Sequence, residues 1–202
     1  MPDLTPEGLC NMALRRIGYP TPIGFIYEGT PAARVAVEIY GQTRDNLLRN
    51  ADWDFARQAV GLTLLKTAPV GGYGYGQLWT NAYPPPPWVF EYAYPTAALL
   101  VRSVRPTPVA MPEWDPQPNI FVVADDASVT PSKVILTNLA NAQAVYTGQI
   151  VNPTQWNASF IEALVDALAT LFQQALAPGA EADKERIGEE AQAVGVAMGR
   201  RG

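Results

Sequence analysis

"YGQTRDNLLRNADWDFARQ", Tyr40 to Gln58, is where one backbone period gives way to another. Up to Asn50 the apolar residues recur at helical spacing. From Gln58 onward they come in short runs rich in β-branched and aromatic residues, bounded by Pro, Gly, Asn and Asp. Between the two lie Asp52 and Asp54 on either side of Trp53. Glycoside-cleaving enzymes set two such acids across the scissile bond. These two are short and nearly adjacent, and no neighbour in the sequence raises the pKa of one. They read as turn residues at a helix end, with Trp53 and Phe55 plugging the core there. On that reading Trp53→Ala costs about 3–5 kcal/mol.

Working back from this corner, a long helix runs from Thr30 and Pro31 to about Asn50, roughly 30 Å at 1.5 Å per residue. Ala33, Ala36, Val37, Tyr40, Leu47, Leu48 and Ala51 fall on one face, and Arg34, Glu38, Gln42, Asp45 and Arg49 on the other. Arg44 lies inside the apolar stripe and needs a carboxylate from its own chain or from a neighbouring subunit. An earlier helix is expected from about Thr5 to Ile17, with Thr5 as cap, Pro6 at the first helical position and Gly18 as the left-handed stop. The linker "GYPTPIGFIYEG" breaks both periods and reads as an ordered loop bearing aromatics.

Forward of the corner, "VGLTLLK", "WVFEYAY", "ALLVRSV", "NIFVVAD", "SKVILTN" and "AQAVYTGQI" read as strands of a small mixed or antiparallel sheet, with a hairpin turn around Asp125 to Ser132. The stretch 67–87 has neither period and reads either as a mobile segment or as a contact arm bearing Tyr73, Tyr75 and Trp79. After "NPTQWNASF" a third helix begins with Asn157 as cap, its start marked by Trp156 and Phe160 as core residues. Its polar stripe (Ser159, Glu162, Asp166, Thr170, Gln173) is narrow, so several neighbours, from its own chain or another, must cover the helix. A fourth helix, roughly Glu181 to Met198, carries Ile187, Ala191, Val194 and Met198 on one edge. Three glycines weaken it, so docking must hold it. The expected fold is α+β: an antiparallel bundle of about four helices, from 1–57 and 153–202, with a β-rich middle insertion over 58–152. Tyr40, Leu47, Trp53, Phe55, Trp156 and Phe160 are its expected core anchors.

The chain has 202 residues, no histidine and a single cysteine. Without histidine, Ser-His and Cys-His nucleophilic sites and ordinary zinc sites are excluded. Cys10 reads as a buried apolar residue. Glu162 and Asp166 share a helix face, as a metal-binding or acid-base pair would, but no histidine supports them and they read as a solvated stripe. "GGYGYG" matches no phosphate-cradling loop. The net charge of −5 excludes a broad grip on phosphate backbones. Residues 67–101 hold no Lys or Arg, so the aromatics there lack the positive groove that single-stranded nucleic acid requires. No catalytic, cofactor or metal site is expected. The first residues show no export signal, and no apolar run reaches membrane-spanning length, which implies a cytoplasm-like compartment.

Taken in order, three blocks resemble the tail tubular protein A family of short-tailed phages. The first, Ala13 to Leu65, carries "ALRRIG", the spacing "Y...RD.LL" and the corner "W.FA". The second is "YAYPTAALLVRSV" and the third, Tyr146 to Leu171, has the pattern "Y......P..W...F..AL...LA". The resemblance spans most of the chain, with 70–87 and the last twenty residues least matched. It implies a structural virion protein, assembled in the host cytoplasm. Such a protein is a head-to-tail adaptor: a dodecameric ring between portal protein and tail nozzle, with DNA passing through the channel without sequence-specific binding, and with tail fibres as further partners. In that setting Arg44, Tyr73, Tyr75, Trp79, Ile187, Ala191, Val194 and Met198 are the expected subunit or portal contacts. The alternatives are another neck or head-completion protein, or a tail-associated peptidoglycan hydrolase.

Overall fold

The computed structural model describes residues 4–74, 78–106, 120–130 and 132–177. The chain divides into two compact units: the described residues of Met1–Leu47 with Val151–Gly202, and those of Leu48–Ile150.

The first unit is helical. α1 (Pro6–Arg16) starts where the Thr5 hydroxyl accepts the Gly8 N–H at 3.1 Å, and it ends before Gly18, whose φ of +72° is in the left-handed region. α2 (Pro31–Asn50) begins in the same way, with Ala33 N–H on the Thr30 hydroxyl at 3.3 Å. α3 (Ala158–Ala175) is capped by the Asn157 side chain, which accepts the Phe160 N–H at 2.8 Å. α1 packs on α3. The core holds Leu9, Cys10, Ala13 and Leu14 from α1, and Phe160, Leu164, Val165, Leu168 and Phe172 from α3. α3 therefore buries one face, while Glu162, Asp166, Thr170 and Gln173 are exposed. On α2 the buried face is Ala32, Ala33, Val35, Ala36, Tyr40 and Thr43, whereas Val37 is exposed.

The second unit is built of β1 (Arg57–Gly61), β2 (Leu64–Thr67), β3 (Phe90–Ala93), β4 (Ala98–Pro106), β5 (Phe121–Asp125), β6 (Lys133–Thr137) and β7 (Ala142–Gly148). One antiparallel sheet has the order β1-β7-β4 and the other β2-β3-β6-β5. Alternate residues of the central strands point into a shared core of Tyr92, Val101, Val104, Ile135, Ala142, Ala144 and Tyr146. Only Leu62 and Thr63 separate β1 from β2, and the Leu62 N–H still bonds to the Ala142 carbonyl at 2.9 Å, so one bent segment serves both sheets. The four-stranded sheet is curled. β2 and β5 are its outer strands, yet Lys66 of β2 reaches Asp126 just after β5. Across a flat sheet, three strand spacings would hold them about 14 Å apart, too far for the two side chains to bridge.

The expected bundle of about four helices carrying a β-rich insertion is therefore corrected. Among the described residues there are three α-helices, and seven strands in two antiparallel sheets. The middle segments are apolar enough on their inward faces to close a core of their own, and an independent core makes them a second body. The expected fourth helix, with Ile187, Ala191, Val194 and Met198, lies outside the described residues, as does Tyr75.

Candidate functional site

The loop between α1 and α2, 17–30, is short of regular structure but dense in fixed contacts. From α1, the Asn11 side-chain amide pairs with the Ile23 backbone in both directions: Nδ2 donates to the carbonyl at 2.8 Å, and Oδ1 accepts the N–H at 2.7 Å. Ile23 is buried beneath this clamp. Five residues further on, the Glu28 carboxylate gathers three donors. Oε2 accepts the N–H groups of Gly24 (2.9 Å) and Phe25 (3.0 Å), and Oε1 accepts the Thr30 hydroxyl at 2.8 Å. These bonds, the Phe25 N–H first, hold the Glu28 carboxyl below its ordinary pKa and keep it anionic. The loop thus folded carries Phe25 and Tyr27 at its tip as an edge-to-face pair with centroids 5.5 Å apart. Phe25 is 57% and Tyr27 71% exposed, although aromatic side chains have the most to gain from burial. A rigid backbone presenting two wet aromatic rings is the anatomy of an interface anchor.

A second cluster lies in the β unit. Lys66 Nζ is 3.1 Å from Oε1 of Glu91, its register partner on β3, and also contacts Asp126 Oδ2 and the Ser128 hydroxyl, the latter at 3.0 Å. Glu91 is 1% exposed, and burial pushes its carboxyl pKa up, with Lys66 pulling against it. Asp126 is held well below the usual carboxylate range, first by Lys66 and then by the Ser128 hydroxyl and N–H. Two acids share one lysine here. The signals in the sequence were a lysine ending one apolar strand and a glutamate inside another, and only their pairing register makes them a cluster.

At the corner, Arg57 donates to both Asp52 oxygens, at 2.6 and 3.4 Å, and stands 3.6 Å from Asp54. The bond from Arg57 lowers the Asp52 pKa. Both acids thus answer to one guanidinium at the turn. Trp53 and Phe55 are half-buried with ring centroids 6.0 Å apart, and the fully buried residue beside them is Ala56. Arg102, which the sequence reading passed over, caps the end of α2. Its Nη2 donates to the carbonyls of Leu48 (3.1 Å), Arg49 (2.8 Å) and Ala51 (2.6 Å), and its Nε to the Thr147 hydroxyl (2.8 Å).

Of the other expected residues, Tyr40, Trp156 and Phe160 are buried, and Leu47 is half-buried beside a fully buried Leu48. Burial pushes the Tyr40 phenol up to about 12. Arg44 is mostly buried and finds its carboxylate next door, with Nε and Nη2 both 2.8 Å from Asp45 Oδ1. Tyr73 and Trp79 close their loop on the backbone: the Tyr73 hydroxyl donates to the Pro84 carbonyl, and Trp79 Nε1 lies 3.1 Å from the carbonyls of both Tyr83 and Pro84. Trp79 remains 46% exposed. Asp166 pairs with Arg16 of α1, and Glu162 is exposed. Among the described residues no three acidic or sulfur side chains converge as a metal site requires, and no helix is long and apolar enough to cross a membrane.

Compared with known proteins, the chain matches no protein-family model and no curated protein.

Proposed function

We propose that the protein is a structural adaptor of a phage virion, a self-assembled ring that joins portal protein to tail nozzle and leaves a channel for DNA. The order and spacing of the "ALRRIG", "Y...RD.LL", "W.FA" and Tyr146 to Leu171 segments supply the reading of the class. The observation that carries it on the structural side is the Phe25–Tyr27 loop, a preorganised aromatic tip left in water. A protein whose work is joining keeps such anchors for its neighbours, and rigid aromatics bind at small entropic cost. The net charge of −5 fits a channel wall that lets DNA slide by.

The test is assembly. Light scattering and electron microscopy of the purified protein, alone and mixed with portal rings, are expected to show a closed ring seated on the portal. A protein that stays monomeric under both conditions and releases fragments from peptidoglycan would reverse the reading.

A further inference from the structure

The β unit contains a cleft of about 480 Å³ lined by Tyr94, Pro95, Thr96, Ala98, Asp125, Ser132 and Lys133. Its wall combines the Tyr94 ring, Pro95 and Ala98 with polar groups, with Lys133 Nζ 5.6 Å from the centre of the Tyr94 ring and the Asp125 carboxylate on the register partner of Lys133. An apolar cavity of ~150 Å³ takes one benzene ring, so this cleft has room for two. We propose that the cleft receives the Phe25–Tyr27 tip of a second copy of this chain. The proposal rests on the reading of the protein as self-assembling and names the contact that does it.

Chemistry matches on both sides. The tip brings two aromatic rings, one phenol and, at its base, the anionic Glu28. The cleft offers Pro95, Ala98 and the Tyr94 ring for the rings, Asp125 as acceptor for the Tyr27 hydroxyl, and Lys133 as counter-charge to Glu28. Backbone order is already in place, because Asn11 and Glu28 hold the loop in shape before any partner arrives. Tip and cleft are different surfaces of one chain, so the contact is head-to-tail. Each copy receives one neighbour and enters another, and the chain of contacts closes into a ring where the rotation allows. Two buried aromatics account for ~300–500 Å², so the tip is the anchor of a larger interface.

Engineered thiols give a clean test, since Cys10 is buried and its thiol is pushed up to about 12, which keeps it silent in oxidation. Tyr27 and Thr96 are both exposed, so Tyr27→Cys with Thr96→Cys leaves the cores intact. Mild oxidation of this variant, with and without portal rings, is expected to yield a ladder of dimers, trimers and higher species, while either single-cysteine variant forms none. In parallel, the double variant Phe25→Ser/Tyr27→Ser and the cleft-filling Thr96→Trp are each expected to keep the wild-type melting curve and to weaken self-association at least tenfold by sedimentation. Wild-type rings that persist in both variants, with no ladder, would overturn this contact and leave the adaptor reading standing. A wild-type chain that stays monomeric even with portal rings would overturn both.

Discussion

Lys66 stands between two carboxylates of unequal condition, and that inequality makes a prediction at the scale of single residues. Glu91 is sealed in and its pKa is raised, so the folded state holds its proton more tightly than the unfolded chain does. As pH rises from the ordinary value near 4.5, the unfolded chain ionises first and stability declines until the folded carboxyl has also titrated. Asp126, whose pKa is lowered, has the opposite sign: its contribution is lost only as pH falls below the ordinary 3.8 towards the folded value. Glu91→Gln is therefore expected to flatten the decline above pH 4.5 and to raise stability at pH 8 relative to the wild type, measured by urea unfolding across pH. Lys66→Met strands both acids and is expected to cost about 3 kcal/mol at pH 7 in the same assay. Arg44 follows a similar logic on a smaller scale. Its place in the apolar stripe demanded a partner, and Asp45, assigned from spacing alone to the opposite face, provides it one residue away. Helical angles place Cβ atoms, and a long guanidinium then chooses its own direction.

At the scale of elements, the end of α2 depends on a residue more than fifty positions away in the sequence. The last carbonyls of a helix have no intrahelical donor, and a cation beside them also meets the negative end of the dipole. Arg102 of β4 supplies both through three carbonyl contacts. Arg102→Met keeps the aliphatic stem and removes these bonds. It is expected to cost about 1.5–3 kcal/mol in equilibrium unfolding and to speed amide exchange in the last turn of α2. Helix starts need no such distant help. Thr5, Thr30 and Asn157 each accept an N–H three residues ahead, so they are legible in the sequence as caps. The strand segments are legible for a similar reason, because β-branched and aromatic runs between turn residues mark β3 to β7 closely. The 17–30 loop is legible as ordered but not as a presented tip, since Asn11 is outside the loop and its clamp on Ile23 follows from tertiary contact.

For the molecule as a whole, two cores imply two cooperative blocks. Leu164 is fully buried in the helical unit, and Leu164→Ala is expected to cost about 2–5 kcal/mol there. Hydrogen exchange should then rise across the described helical residues and stay near wild type in β3, β4, β6 and β7. An equal rise in both units would show that they unfold as one. The expected insertion, 58–152, lies close to the second unit, but one small sheet was expected where there are two, because hydrophobic period tells which residues seek burial and is silent on which strands will pair. By itself the sequence determined the caps, the three described helices and the strand segments, the absence of histidine and the excess of acid over base. These depend on composition and on neighbours within a few residues. Tertiary structure alone decided that the middle segments form two sheets around their own core, that Lys66 joins Glu91 to Asp126 across a curled sheet, and that Phe25 and Tyr27 stay in water. Those outcomes depend on which distant groups meet, and a distance in space is fixed only when the chain closes on itself.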